Sequence, residues 1–180
     1  MKKIFLSAVV LLVAVLSLTA ATAPRVSRPL LVSVEKSLDD RIRTLWDDNP
    51  YLLLGSTRGV YLENYGAVFT AEIDLVLNPT SLMNANIKKD DIVKYHAKKL
   101  ERVPLLKKAL RDALVACGSS LDTVPPEEQI IIVAFLPHHQ WEDMTGIPTQ
   151  ITVQAPHKKL VDAKSAGAAA VEALVRISEN

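Results

Sequence analysis

Side chains able to do chemistry are densest in LPHHQWEDM, from Leu136 to Met144. His138 and Glu142, and likewise His139 and Asp143, stand four residues apart. One helical turn there would set an imidazole beside a carboxylate on the same face. Such pairs serve as metal ligands or as a proton relay. A catalytic zinc takes three protein ligands, and the only other histidines are His96 and His157. Pro137 in front, with Gly146 and Pro148 behind, favours an irregular loop in which neighbouring histidines point apart. His138, His139, Glu142 and Asp143 are therefore the candidates for a small metal-dependent or acid-base hydrolase. The plainer alternative is a solvated loop anchored by Trp141. No metal or cofactor is assigned from these residues, and the enzyme question stays open.

A second set lies in GVYLENYGAVFTAEIDLVL, Gly59 to Leu77. From Ala67 onward, Phe69, Ala71, Ile73 and Leu75 alternate with Val68, Thr70, Glu72 and Asp74, which gives a strand with one apolar face. In the preceding strand Val60 and Leu62 form the matching apolar set, so Leu62 is expected opposite Ala67. Glu63-Asn64-Tyr65-Gly66 becomes the connection, with Asn64 and Gly66 best able to take positive φ. Tyr61, Glu63, Glu72 and Asp74 then share the polar face, with Tyr65 at the turn. Together they are the candidate contact surface for a cation or a basic partner, against the alternative of an ordinary solvent-facing sheet.

YLENYGAVF, Tyr61 to Phe69, resembles the YL-x-x-YGA-x-F phrase of a family of exported bacterial proteins of uncharacterised activity. A C-terminal strand pair and a WED segment, like Trp141-Glu142-Asp143, also recur there. The resemblance covers the chain from about Leu38 onward and implies a periplasmic or envelope location, with no catalytic role to carry over.

Charge narrows the partners. The chain has 21 Lys and Arg against 20 Asp and Glu, so nothing in the whole-protein balance points to nucleic acid. Between Lys88 and Asp112, however, nine basic residues face four acidic ones. Lys94, Lys98 and Arg102 are the candidates for peripheral contact with anionic headgroups, against a solvated outer face. Cys117 is the only cysteine. It shares a helical face with Leu106, Leu110, Ala113 and Leu114, and reads as a hidden apolar residue. No G-x-S-x-G, P-loop, G-x-G-x-x-G or C-x-x-C occurs, so the common hydrolase, nucleotide-binding and thiol-redox chemistries lack their motifs.

The elements that must position these groups follow a basic start, an apolar run and small residues: MKKIFLSAVVLLVAVLSLTAATAP. This is the layout of a secretory signal over residues 1–21, with cleavage after Ala21 preferred to Ala23 because Pro24 would follow the latter. The alternative is an uncleaved anchor from Ile4 to Ala23. Export, to the periplasm or beyond, is the expected location. Residues 22–36, with Pro24 and Pro29, read as a linker, and 37–180 as a single domain. The domain opens with a helix from Ser37 that Asp47-Asp48-Asn49-Pro50 stops. Short strands follow at Tyr51–Leu54 and in the hairpin, up to Asn78-Pro79-Thr80-Ser81. A helical region from Asp90 to Cys117 should bend or divide near Pro104, with Gly118 just past its end. QIIIVAF, Gln129 to Phe135, suits a central strand, Ile151 to Ala155 an alternating one, and Leu160 to Ile177 a closing helix. The expected class is α+β: a mostly antiparallel sheet of four to five strands with helices packed on one face. Oligomeric state is not legible at this level.

Overall fold

The computed structural model describes residues 26–46, 51–77 and 87–180. The signal-like segment and the stretches Asp47-Asp48-Asn49-Pro50 and Asn78-Pro79-Thr80-Ser81 lie outside the described residues. The fold is α+β, a mostly antiparallel sheet with helices against one face. In chain order come α1 (Arg28–Ile42), β1 (Leu52–Leu53), β2 (Arg58–Leu62), β3 (Gly66–Asp74) and α2 (Lys89–Ser120). They are followed by β4 (Gln129–Phe135), β5 (Gln150–Pro156), α3 (His157–Ala166), α4 (Ala168–Leu174) and β6 (Arg176–Glu179). The sheet runs β1-β3-β4-β5-β6, with β2 also pairing β3. Among the described residues all pairings are antiparallel except β3 with β4, which are parallel and joined through α2 as the crossover.

Helix α1 starts nine residues before Ser37, so residues 28–36 are not a linker. The Ser27 hydroxyl accepts from the Leu30 N–H, and Pro29 occupies the first turn, where a missing N–H costs nothing. A proline that reads as loop punctuation is here a helix start. Leu31, Val34, Leu38 and Ile42 enter the core from this helix.

Glu35 and Asp39, one turn apart and buried, face β2. The Gly59 N–H donates to Glu35 Oε1 at 2.7 Å, and the Thr57 N–H to Asp39 Oδ1 at 2.8 Å. Arg28 donates to both oxygens of Glu35 and, at 2.9 Å, to the Gly59 carbonyl. Glu35 and Arg28 thus occupy the Gly59 groups that edge strand β2 would otherwise offer to another chain, and Asp39 holds the residue just before the strand.

The hairpin register differs by one residue from the sequence expectation. Leu62 pairs with Gly66, Tyr61 with Ala67 and Gly59 with Phe69. Val60 and Leu62 therefore point away from the helices, while Gly59 and Tyr61 take the inner side. The cause is the Phe69 ring: a Cβ on Gly59 would lie 2.5 Å from Phe69 Cε1, so only glycine fits over it. Asn64 and Gly66 do adopt positive φ. Phe69 and Ile73 are fully buried, as the alternation on β3 requires.

Helix α2 is one uninterrupted element that includes Pro104, which is exposed. Leu106, Leu110, Ala113, Leu114 and Cys117 form its buried side. Gly118 is not past its end but inside it, where a Cβ would meet Leu160 Cβ at 2.9 Å; glycine lets α3 approach. The closing helix is also divided. Gly167, at φ +97°, separates α3 from α4, and Arg176–Glu179 leave the helix to pair with β5 as a sixth strand. The β-branched Val175 and Ile177 suit that exit.

Candidate functional site

The residues singled out in the sequence separate to opposite ends of β3. At its start, Tyr61 lies on the inner side rather than on a shared polar face. Its hydroxyl donates to Glu128 Oε1 at 3.2 Å, and burial first, then this carboxylate, raise the phenol above its usual range. The same oxygen accepts from the Asn64 N–H. Glu63 and Tyr65 are exposed on the turn.

Glu72, Asp74, His138, His139, Glu142 and Asp143 gather around the other end, where the parallel strands β3 and β4 finish. This is the end of a strand–helix–strand unit at which open α/β sheets collect ligands. Glu72 stands opposite Phe135, and Phe135 opposite Gln150, in three adjacent strands. Together with Pro137, His138 and Thr149 they line an open cleft on the side of the sheet away from the helices. An exposed carboxylate and an exposed imidazole border that cleft.

The loop after β4 is irregular, so the four-residue spacing of His138 with Glu142 and of His139 with Asp143 creates no shared helical face. Instead His139, Glu142 and Asp143 each take a separate partner. His139 stacks on Trp141 with centroids 5.6 Å apart, and Trp141 meets Tyr95 of α2 edge-on at 5.9 Å. Asp143 accepts from the Thr145 N–H at 2.9 Å, which holds its carboxyl below the usual range, and its carbonyl lies 2.9 Å from His96 Nδ1. Glu142 forms a short ion pair with Lys99 Nζ; the two side chains are only 6% and 4% exposed. Asp74 Oδ1 sits 3.9 Å from the same ammonium. Burial raises the Asp74 carboxyl above its ordinary value, and the nearby Lys99 opposes that rise.

One turn further along α2, Arg102 is wholly buried. It donates to the Leu75 carbonyl and lies 4.8 Å over the Trp46 ring. It is therefore a tie between α2 and the end of β3, not a surface cation for lipid. Lys98 is partly covered and paired with Glu101, while Lys94 is exposed. Much of the remaining basic run is also paired: Lys107 with Glu179, Lys108 with Asp112, and Arg111 with Glu172.

His157 is buried far from the loop, its two ring nitrogens 2.8 Å and 3.0 Å from the Val124 and Gly118 carbonyls. Among the described residues no group of three or more His, Cys, Asp or Glu is placed to hold a metal ion. None of their helices is long and apolar enough to cross a membrane.

The sequence reading missed Lys99 and Arg102 as buried partners of the loop and strand ends. Both belong to a lysine- and arginine-rich helix whose composition suggests a solvated face. Their spacing was the available signal: Lys99, Arg102, Leu106 and Leu110 follow the helical period of the buried side. The open sheet face was also obscured, because Val60 and Leu62 look like core residues until the register is known.

No protein-family model matches the chain, and neither a curated protein nor a solved structure shows significant similarity to it.

Proposed function

We propose that this chain is an exported domain that acts by binding a protein or envelope component, and that the partner sits on the sheet face turned away from the helices. One observation chiefly supports this. Val60, Leu62 and Phe135 are 48%, 46% and 40% exposed on a face that no helix covers among the described residues. The register links them into one strip, Val60 beside Val68 and Val68 beside Ile131, then Val133 and Phe135 along β4, and a contiguous apolar strip marks an interaction surface more often than scattered residues do. With Glu72 at the rim, the fitting partner is a protein surface that offers aliphatic side chains and a basic group.

The Lys99–Glu142 ion pair supports the same reading from another side. A carboxylate held in a buried charge pair is not free to take a proton from a substrate. The export half rests on Lys2, Lys3, the apolar run and the small residues up to Ala21, together with the resemblance at Tyr61–Phe69.

The test places a photoreactive residue at Val60 or Phe135 in the expressed protein, with Val32 on α1 as the exposed control. A discrete adduct from both sheet positions and none from Val32 is expected, and Phe135→Asp should abolish the adduct formed at Val60. Equal labelling from all three positions, or none, removes the binding surface. Full-length chain in the cytoplasmic fraction removes the export half.

A second reading, acid-base or metal-dependent hydrolysis, draws on Glu72 and His138 lining one cleft. Metal that survives dialysis and is lost in His138→Ala would favour it.

A further inference from the structure

The outward side of α2 carries apolar groups that its packing on the sheet does not use. Val93 is 67% and Leu100 40% exposed, and Ala97 and Pro104 are exposed beside them. The spacing 93, 97, 100, 104 is that of a seam by which one helix meets another. The side that packs on the sheet runs instead through Arg102, Val103, Leu106, Leu110 and Leu114.

This seam is symmetrical about a point between residues 98 and 99. Turned end for end it matches itself, with Val93 opposite Pro104 and Ala97 opposite Leu100. Along one flank the exposed Asp90, Lys94, Glu101 and Lys108 alternate in sign. Reversal brings Asp90 against Lys108 and Lys94 against Glu101, each within about 3 Å along the axis at 1.5 Å per residue.

We propose that a second copy of this chain occupies the seam, forming an antiparallel two-fold pair of α2 helices. The charges select this occupant over an anionic lipid surface. Asp90, Glu101 and Asp112 share the outward side with the lysines, Lys98 is held by Glu101, and Arg102 is buried. A self-complementary patch is what a two-fold contact demands. On the other flank Lys89 comes opposite Lys107, a like charge that its own Glu179 offsets, and the seam spans only about 17 Å. The pair is therefore a concentration-dependent dimer rather than an obligate one. It uses the helical side of the molecule and does not depend on the sheet face proposed above.

Sedimentation equilibrium of the purified protein tests this, with far-UV circular dichroism as the check on folding. The wild type should self-associate to a dimer. Leu100→Glu should weaken it at least about tenfold, as should Glu101→Lys, which sets lysine against lysine. Lys94→Glu combined with Glu101→Lys should restore association, whereas Val32→Glu, an exposed site on α1, should change nothing. A wild type that stays monomeric up to about 0.5 mM overturns the proposal. So does a dimer indifferent to Leu100→Glu, or a double swap that fails to recover. Binding to anionic vesicles that Leu100→Glu removes, without self-association, assigns the seam to lipid and equally overturns it.

Discussion

Glu35→Ala offers a direct test of how α1 belongs to the domain. The Glu35 carboxylate is buried and accepts the Gly59 N–H at 2.7 Å, while also pairing with Arg28. Removing the acceptor leaves a half-buried edge donor without a partner, which costs about 2 kcal/mol. The ion pair adds under about 1 kcal/mol, because the Arg28 side chain is more than half exposed. Glu35→Ala should therefore lose about 2–3 kcal/mol, and Arg28→Ala under about 1 kcal/mol. Glu35→Gln, which keeps an acceptor, should fall between them. For a domain of this size the alanine variant melts about 5–10 °C lower. Urea unfolding at constant m-value gives the free energies, and amide exchange at Gly59 should quicken in step. If Glu35→Ala stays within about 0.5 kcal/mol of the wild type, or if Arg28→Ala matches it, the edge is not held in this way. A free linker over residues 28–36 would give that silent result.

Three further outcomes follow from buried charge and burial. Lys99→Met strands Glu142 beside Asp74 without its counter-ion and should cost about 3 kcal/mol in urea unfolding; adding Glu142→Gln should recover most of the loss, and an additive double variant would contradict the pairing. Burial raises the Asp74 carboxyl, so its ionisation opposes folding. That penalty is absent below the unfolded-state value and grows as pH rises through the folded one. Urea midpoints should therefore shift in favour of Asp74→Asn between about pH 3 and pH 7, and the opposite trend would refute this. Burial pushes the Cys117 thiol up to about 12, so a disulfide reagent at mildly alkaline pH should label it only at the rate of opening; rapid labelling of native protein would show the thiol is accessible.

The parts of the fold that the sequence disclosed are those where burial alone writes the pattern. Phe69, Ile73 and the QIIIVAF strand announced themselves by alternation or by continuous apolar character, and Leu106 to Cys117 by helical period. The missed features depend on contacts between distant segments. Gly59 belongs inside only because Phe69 fills the space above it, and that single fit moves Val60 and Leu62 outward. Pro29 reads as a breaker in the bare sequence, although the first turn of a helix tolerates it. Arg176–Glu179 carry no strand signal of their own length, and their assignment comes from an available edge on β5. At the candidate site, spacing grouped His138 with Glu142, whereas Lys99, far away in the chain, decides where Glu142 points.

The parallel pairing at the centre of the sheet also sets an order of events. Strands β3 and β4 lie side by side, yet the whole of α2, about 48 Å of helix, separates them along the chain. A hairpin can close as soon as both its arms exist, but this ladder waits until the crossover has formed and folded back. During synthesis, the β2–β3 ribbon must therefore stand with one flank of β3 bare until Phe135 has followed it, and assembly of the central sheet becomes a late step.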